Sequence, residues 1–303
     1  MAANQSIART DLIRDPLTAP RPASRLATVA KFARQKPLGA FGAVVTIVLI
    51  VMAVFHPWLA THDPNALSPN EVLRAPSTAH FFGTDNYGRD VYSRVIYGAW
   101  ISLQVCIIAV AIGTVLGTLV GVLSGYFGGS VDMVLQRIVD AVLSFPGLIL
   151  AIALVGLVGP SVKNVAIAIG ITTFPSFSRI VRAPVLSMKE QAYVEAARAI
   201  GAPSVRIMLR HIVPNIMAVI IVIATARFGS AILVEASLSF LGLGPPPPTP
   251  TWGSMLSGDA IYIMQTAWWL AVFPGLAITL VVLGFNLFGD ALRDVLDPRL
   301  RGR

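Results

Sequence analysis

Six stretches of this chain stay apolar long enough for a helix to cross the roughly 30 Å of hydrocarbon in a bilayer. They run from Leu38 to Leu59, Trp100 to Leu123, Val139 to Val158, Val165 to Ile180, Ile216 to Phe240 and Trp268 to Phe288. Inside hydrocarbon every backbone polar group must bond within its own segment, so the expected fold is an all-α membrane protein with six transmembrane helices. Composition agrees: with 55% hydrophobic and 13% charged residues and a mean hydropathy of +0.73, the chain lacks the charge to cover a soluble surface. The basic region before the first stretch resembles a secretory signal. The run from Leu38 to Ala60 exceeds a signal's apolar core, however, and is expected to remain as the first span.

The net charge of +8 does not mark a nucleic-acid surface, because the basic residues flank the apolar stretches instead of forming one stripe. Arg137 follows the second stretch, Arg179, Arg182, Lys189, Arg198, Arg206 and Arg210 gather at and after the fourth, and Arg293, Arg299, Arg301 and Arg303 follow the sixth. On the other side, Lys163 stands alone after the third stretch, and no Lys or Arg lies between Ser230 and Gln265. Positive charge marks the cytoplasmic side, which places both termini inside. The expected organisation is a cytoplasmic tail at 1–37, a first transmembrane helix at 38–60, an extracytoplasmic segment with an interfacial helix at 61–99, a five-helix core at 100–292 and a cytoplasmic tail at 293–303.

Within that core, residues 183–214 form a basic connection that includes Glu195, Ala196 and Ala197, then Gly201, then Pro214. Ser187 and Glu190 have capping-box spacing, so a helix is predicted to start there and run through Glu195 to about Ile200. Gly201 ends it, Pro203 opens a second short helix carrying Arg206 and Arg210, and Pro214 stops that one. Small side chains at Ala192, Ala196, Ala197 and Ala199 keep the first helix thin enough to enter a groove on another protein, with Glu195 and the arginines Arg198, Arg206 and Arg210 giving charge-assisted contacts at its rim. The plainer alternative is a surface helix in which Glu195 and Arg198 form an ordinary i,i+3 pair.

The order Glu-Ala-Ala, three residues, Gly, twelve residues, Pro resembles the cytoplasmic loop by which permease subunits of ATP-binding-cassette importers grip their ATPases. The pattern GTD..GRD..SR..YGA..SL from Gly83 to Leu103, and EASLSFLGLG with the proline-rich stretch after it from Glu235 to Leu256, narrow the likeness to the dipeptide and oligopeptide permeases, C-type subunit. The resemblance covers nearly the whole chain. It implies the type I importer permease fold with an extra N-terminal span and cytoplasmic coupling helices. The implied partners are a homologous second permease, two ATPases, an extracytoplasmic solute-binding protein and membrane lipid. The chain has no Gly-Lys dipeptide and hence no GxxxxGK[ST] phosphate loop; no cofactor is expected in it, with ATP and magnesium held by the ATPases. The expected cargo is dipeptides or oligopeptides, with nickel or glutathione as alternatives within the same architecture.

Three further features carry expectations. Gly113, Gly117, Gly121 and Gly125 recur every four residues and form a close-packing helix face, directed either within the subunit or at the second permease. Arg227 and Glu235 lie inside the fifth stretch, where charge is costly, and are candidates for the translocation path; Glu235 could equally be a buried acid satisfied by serines. Eight residues apart, they are separated by about 80° and about 12 Å on a helix, too far for a direct pair. His56, His62 and His80 fall in the outer segment, but their spacings of 6 and 18, broken by Pro57 and Pro64, argue against a preformed metal site. The single cysteine, Cys106, excludes an intrachain disulfide, and no nucleophile, base and orienter group points to an enzyme. An ion-coupled secondary transporter and a membrane scaffold are the competing readings from other classes.

Overall fold

The computed structural model describes residues 34, 36–258, 262, 263 and 265–296. The N-terminal basic residues up to Lys31 and the C-terminal ones from Arg299 onward lie outside the described residues. Among those described there is no strand, only an isolated bridge between Thr84 and Asp90.

The first apolar stretch forms α1, Pro37–Val54, and a single turn α2, His56–Leu59. The helix stops sooner than expected because the Pro57 ring obstructs the carbonyl four residues back. His56 Nδ1 lies 2.8 Å from that carbonyl, Ala53 O. The second stretch is the core of α3, Val91–Phe127, 37 residues long and about 55 Å. The expected interfacial helix is therefore the beginning of this helix and not a separate element, since nothing between residues 91 and 127 interrupts it. Its start is set by Asp90, whose Oδ2 accepts from the Ser93 backbone N–H at 2.8 Å; Tyr87 lies outside it.

The third stretch departs from expectation. In place of one span over Val139 to Val158, the chain forms α4, Gly129–Leu143, and α5, Gly147–Val158, bent by 86° at the break. Pro146 disfavours helical geometry at Phe145 and cannot donate a backbone hydrogen bond, so the helix has to restart. At 12 residues α5 rises about 18 Å, less than the hydrocarbon thickness. The next helix, α6, Val162–Met188, is capped by Ser161 and runs through Pro175 and Pro184 past the expected end at Ile180. Ion pairs Arg182–Asp132 and Arg179–Asp140, both 2.5 Å, strap α4 to its last turns.

After α6 come α7, Ala192–Ala199, α8, Ser204–Ile207, a π turn at Met208–Ile212 and α9, Val213–Phe240. The predicted capping box does not form: Ser187 is still inside α6, whose apolar side continues into the core through Val181 and Val185, and Gln191 caps α7 without a side-chain bond. Pro214 does not stop the second helix either. The wider π turn takes the chain into Pro214 at the first turn of α9, so that residues 204–240 form one continuous helix. A short α10, Trp252–Met255, precedes α11, Trp269–Leu296, which continues beyond the expected end at Phe288.

Five described helices are long and apolar enough to cross a membrane: α1, α3, α6, the 204–240 helix and α11. The bent pair α4 and α5 makes a sixth if it counts as one span. The glycine row decides how α3 and α6 pack. A Cβ at Gly113 would lie 2.6 Å from Thr173 Oγ1, at Gly121 2.6 Å from Ser178 O, and at Gly125 2.9 Å from Val185 Cβ, while at Gly117 it would overlap Phe177 Cβ. The seam thus faces another helix of the same subunit. Lys36 Nζ and Asp294 Oδ2, 2.6 Å apart, bring the start of α1 and the end of α11 to the same end of the bundle.

Candidate functional site

The connection between α6 and α9 forms an elbow at one end of the bundle. Gly201 has φ +78°, a left-handed conformation that penalises any side chain by about 1–2 kcal/mol, and this residue makes the bend. The inner side of the elbow is anchored: Val194, Ala197, Ile207, Met208 and Ile212 are buried against Val122, Tyr126 and Val181 of α3 and α6. Arg198 stacks over the Tyr126 ring at 5.1 Å, and Asn215 Nδ2 donates to His211 O at 2.6 Å and to Tyr193 Oη at 3.4 Å. Such anchoring makes the elbow move with the ends of three long helices and not as a free loop.

Its outer side is uncovered. Glu195, Ala196, Arg198, Arg206, Arg210 and Pro214 are all exposed, and Glu195 forms no ion pair among the described residues, so the i,i+3 pair with Arg198 is not made. Ala197 is the exception among the residues expected to dock: it points into the subunit, at 7% exposure. Between the charged residues stand large apolar side chains that spacing alone did not single out, namely Ile200 at 85%, Leu209 at 64%, Val205 at 61% and Tyr193 at 41% exposure. The signal for them was present in the sequence as apolar residues interrupting a basic loop, but without the bend their common outward face could not be assigned.

The two intramembrane charges have different surroundings. Glu235 is completely buried between α9 and α3, accepting from Ser102 Oγ at 3.1 Å and Ser239 Oγ at 2.8 Å. This is the serine-satisfied acid of the two readings, and it opens onto no surface of this chain. Arg227 is half-buried, and its side chain has no hydrogen-bond or ion-pair partner among the described residues.

The segment between α2 and α3 is built by the pattern from Gly83 to Leu103. Gly83, with φ +75°, lies against Trp269, whose Nε1 donates to Thr84 O at 3.1 Å. A Cβ at Gly98 would meet Trp252, whose Nε1 donates to Val95 O at 2.9 Å. Buried Arg94 donates to Pro64 O at 2.9 Å, and Arg89 to Asp85 at 2.7 Å. These motif residues hold the segment onto the starts of α3, α10 and α11. They also overturn the argument from histidine spacing: His62 and His80 are brought side by side, with ring centroids 4.7 Å apart, next to Asp90. His56 stays apart, stacked on Trp100 at 5.5 Å.

Comparison with known proteins places this architecture. Residues 117–302 match the family described as the binding-protein-dependent transport system inner membrane component, and residues 24–76 match the N-terminal transmembrane domain of oligopeptide transport permease C. The chain is 45% identical over 268 residues to the dipeptide transport system permease protein DppC of Alkalihalophilus pseudofirmus, covering 88% of each chain. It is 47% identical over 270 residues to the glutathione transport system permease protein GsiD of Escherichia coli O6:K15:H31, covering 89% of each. Among solved structures, the MetNI methionine ABC transporter in inward-facing conformations matches with a TM-score of 0.55 and 20% identity, covering 67% of this chain and 96% of that one, which supports the shared fold.

Proposed function

The chain belongs to the binding-protein-dependent transport inner-membrane component family, and from that premise we propose that it imports short peptides, with the elbow at residues 192–212 as the seat of its ATPase. As a member it is a multi-pass inner-membrane permease subunit of an ATP-binding-cassette importer and not an enzyme. The finer reading is that dipeptides or oligopeptides, handed over by an extracytoplasmic binding protein, pass between this subunit and a second permease. Two ATPase subunits hold ATP and magnesium, and both termini of this chain lie in the cytoplasm.

The observation that carries the mechanism is the two-sided elbow. Its inner side is fixed to α3, α6 and α9, while its outer side offers Tyr193, Ile200, Val205 and Leu209 among Glu195, Arg198, Arg206 and Arg210. A displaced ATPase would push on the exposed face, and the buried face would pass the movement to three spans at once. Packed helices have discrete arrangements, so the push selects between two packings instead of bending one continuously. Glutathione is the second reading of the cargo, favoured by the 47% identity to a glutathione permease. The test is uptake in a reconstituted complex with the cognate binding protein and ATPases. Uptake of labelled dipeptide that unlabelled peptides compete and glutathione does not supports the first reading, and uptake of labelled glutathione that dipeptides do not compete supports the second. Uptake by this chain alone, driven by an ion gradient, would refute both.

A further inference from the structure

We infer that His62, His80 and Asp90 form a site for a divalent transition-metal cation of the zinc class, stapling the outer segment to the start of α3. One ligand atom from each of the three lies within 4.8 Å of the other two. His80 Nδ1 is 2.8 Å from Asp90 Oδ1, and His62 Nδ1 is 3.8 Å from the same oxygen. Ligand atoms about 2.0–2.2 Å from a tetrahedral ion stand about 3.3–3.6 Å from one another, so a small rotation of the His62 ring and a slight opening of the His80–Asp90 contact bring the set into range.

The supporting bonds fit ligation. Asp90 keeps Oδ2 on the Ser93 backbone N–H, which fixes the carboxylate with Oδ1 turned towards both histidines, where a cation would replace the His80 hydrogen bond. His80 is 6% exposed and faces carboxylates from both ring nitrogens, Asp90 at Nδ1 and Glu71 Oε2 at Nε2, 3.4 Å away. A neutral imidazole has one N–H for these two acceptors. With a cation on Nδ1, the proton sits on Nε2 and is donated to Glu71, the carboxylate–histidine–metal arrangement that orients ligating histidines. The His62 side chain is 42% exposed and lines an open groove of about 500 Å³ with Thr61, Asp63 and Tyr97, so an ion would approach the buried His80 and Asp90 from the His62 side. Residue 62 follows α1 and α2 while 90 caps α3, so the ion would fasten together elements joined by a long irregular segment.

The test uses purified full-length protein in nanodiscs, stripped with chelator and titrated with Zn²⁺ by calorimetry, with Co²⁺ absorption as a second readout. One Zn²⁺ per chain is expected, with a tetrahedral Co²⁺ spectrum, a loss of at least tenfold in affinity in His62→Ala and of about tenfold in Glu71→Gln. His80→Ala should abolish binding; because His80 is buried, the exposed His62→Ala decides the matter if that protein fails to fold. Absence of stoichiometric binding, or an affinity unchanged in His62→Ala, overturns the site. Since peptide uptake is not read, this outcome is independent of the cargo.

Discussion

Truncating Ile200 to alanine should weaken ATPase binding while leaving the permease itself intact. Ile200 is 85% exposed at the bend next to Gly201, so within this subunit the side chain packs on little. The substitution removes three carbons; at about 0.8 kcal/mol for each one fully buried against a partner, the loss reaches about 2.4 kcal/mol, a ceiling of about fiftyfold in affinity. Partial burial at an interface gives about 1–1.4 kcal/mol, or about five- to tenfold. An exposed substitution otherwise shifts stability by less than about 0.5 kcal/mol. The counterpart is Ile207→Ala: Ile207 is 1% exposed on the inner face, and its truncation should cost about 2–5 kcal/mol of stability. The assay pairs ATPase affinity, measured by titrating purified ATPase onto permease nanodiscs, with the thermal stability of the permease alone. If Ile200→Ala leaves ATPase affinity within twofold of the parent, the exposed face is not the docking face and the reasoning fails.

Other consequences can be checked in the same system. Gly201→Val, which forces a β-branched residue to φ +78° where no neighbouring atom lies within 4 Å, should uncouple ATP hydrolysis from uptake by distorting the bend; intact coupling would show that the bend is dispensable. Gly117→Leu should prevent accumulation of folded permease, because even a Cβ there overlaps Phe177, whereas Gly156→Leu, with no neighbour within 4 Å, should be tolerated; equal accumulation would contradict the seam. Glu235→Leu leaves the Ser102 and Ser239 hydroxyls without their acceptor and should cost about 1–3 kcal/mol, with Glu235→Gln retaining most of the stability; a Leu variant as stable as the parent would remove the structural role.

How much of this could be read from the residues depends on the range of the forces involved. Hydropathy located every long helix, because the requirement that backbone groups bond internally acts on each segment separately. The helix ends were less legible. Pro146 broke the third stretch, whereas Pro175, Pro184 and Pro274 were accommodated inside helices, a difference that proline content alone does not foretell. The glycine row announced close packing but not its partner, since a helix face carries no address until α6 is set against it. Glu195 and Gly201 lie at the elbow, yet Ala197 turned inward with Val194 while Ile200, Val205 and Leu209 face out, which depends on how the elbow packs against α3 and α6. His62 and His80 were dismissed on spacing, and the pairing came instead from Gly83 and Trp269 folding the segment between α2 and α3 back onto α3 and α11.

The single native cysteine, Cys106, is fully buried, which allows a direct test of the elbow. A cysteine placed at Glu195 in the assembled transporter should crosslink to the ATPase subunit, with the yield changing when ATP is bound, and should react with an impermeant thiol reagent only from the cytoplasmic side. Labelling of that cysteine from the outer face, or no ATPase crosslink in an active complex, would contradict the account.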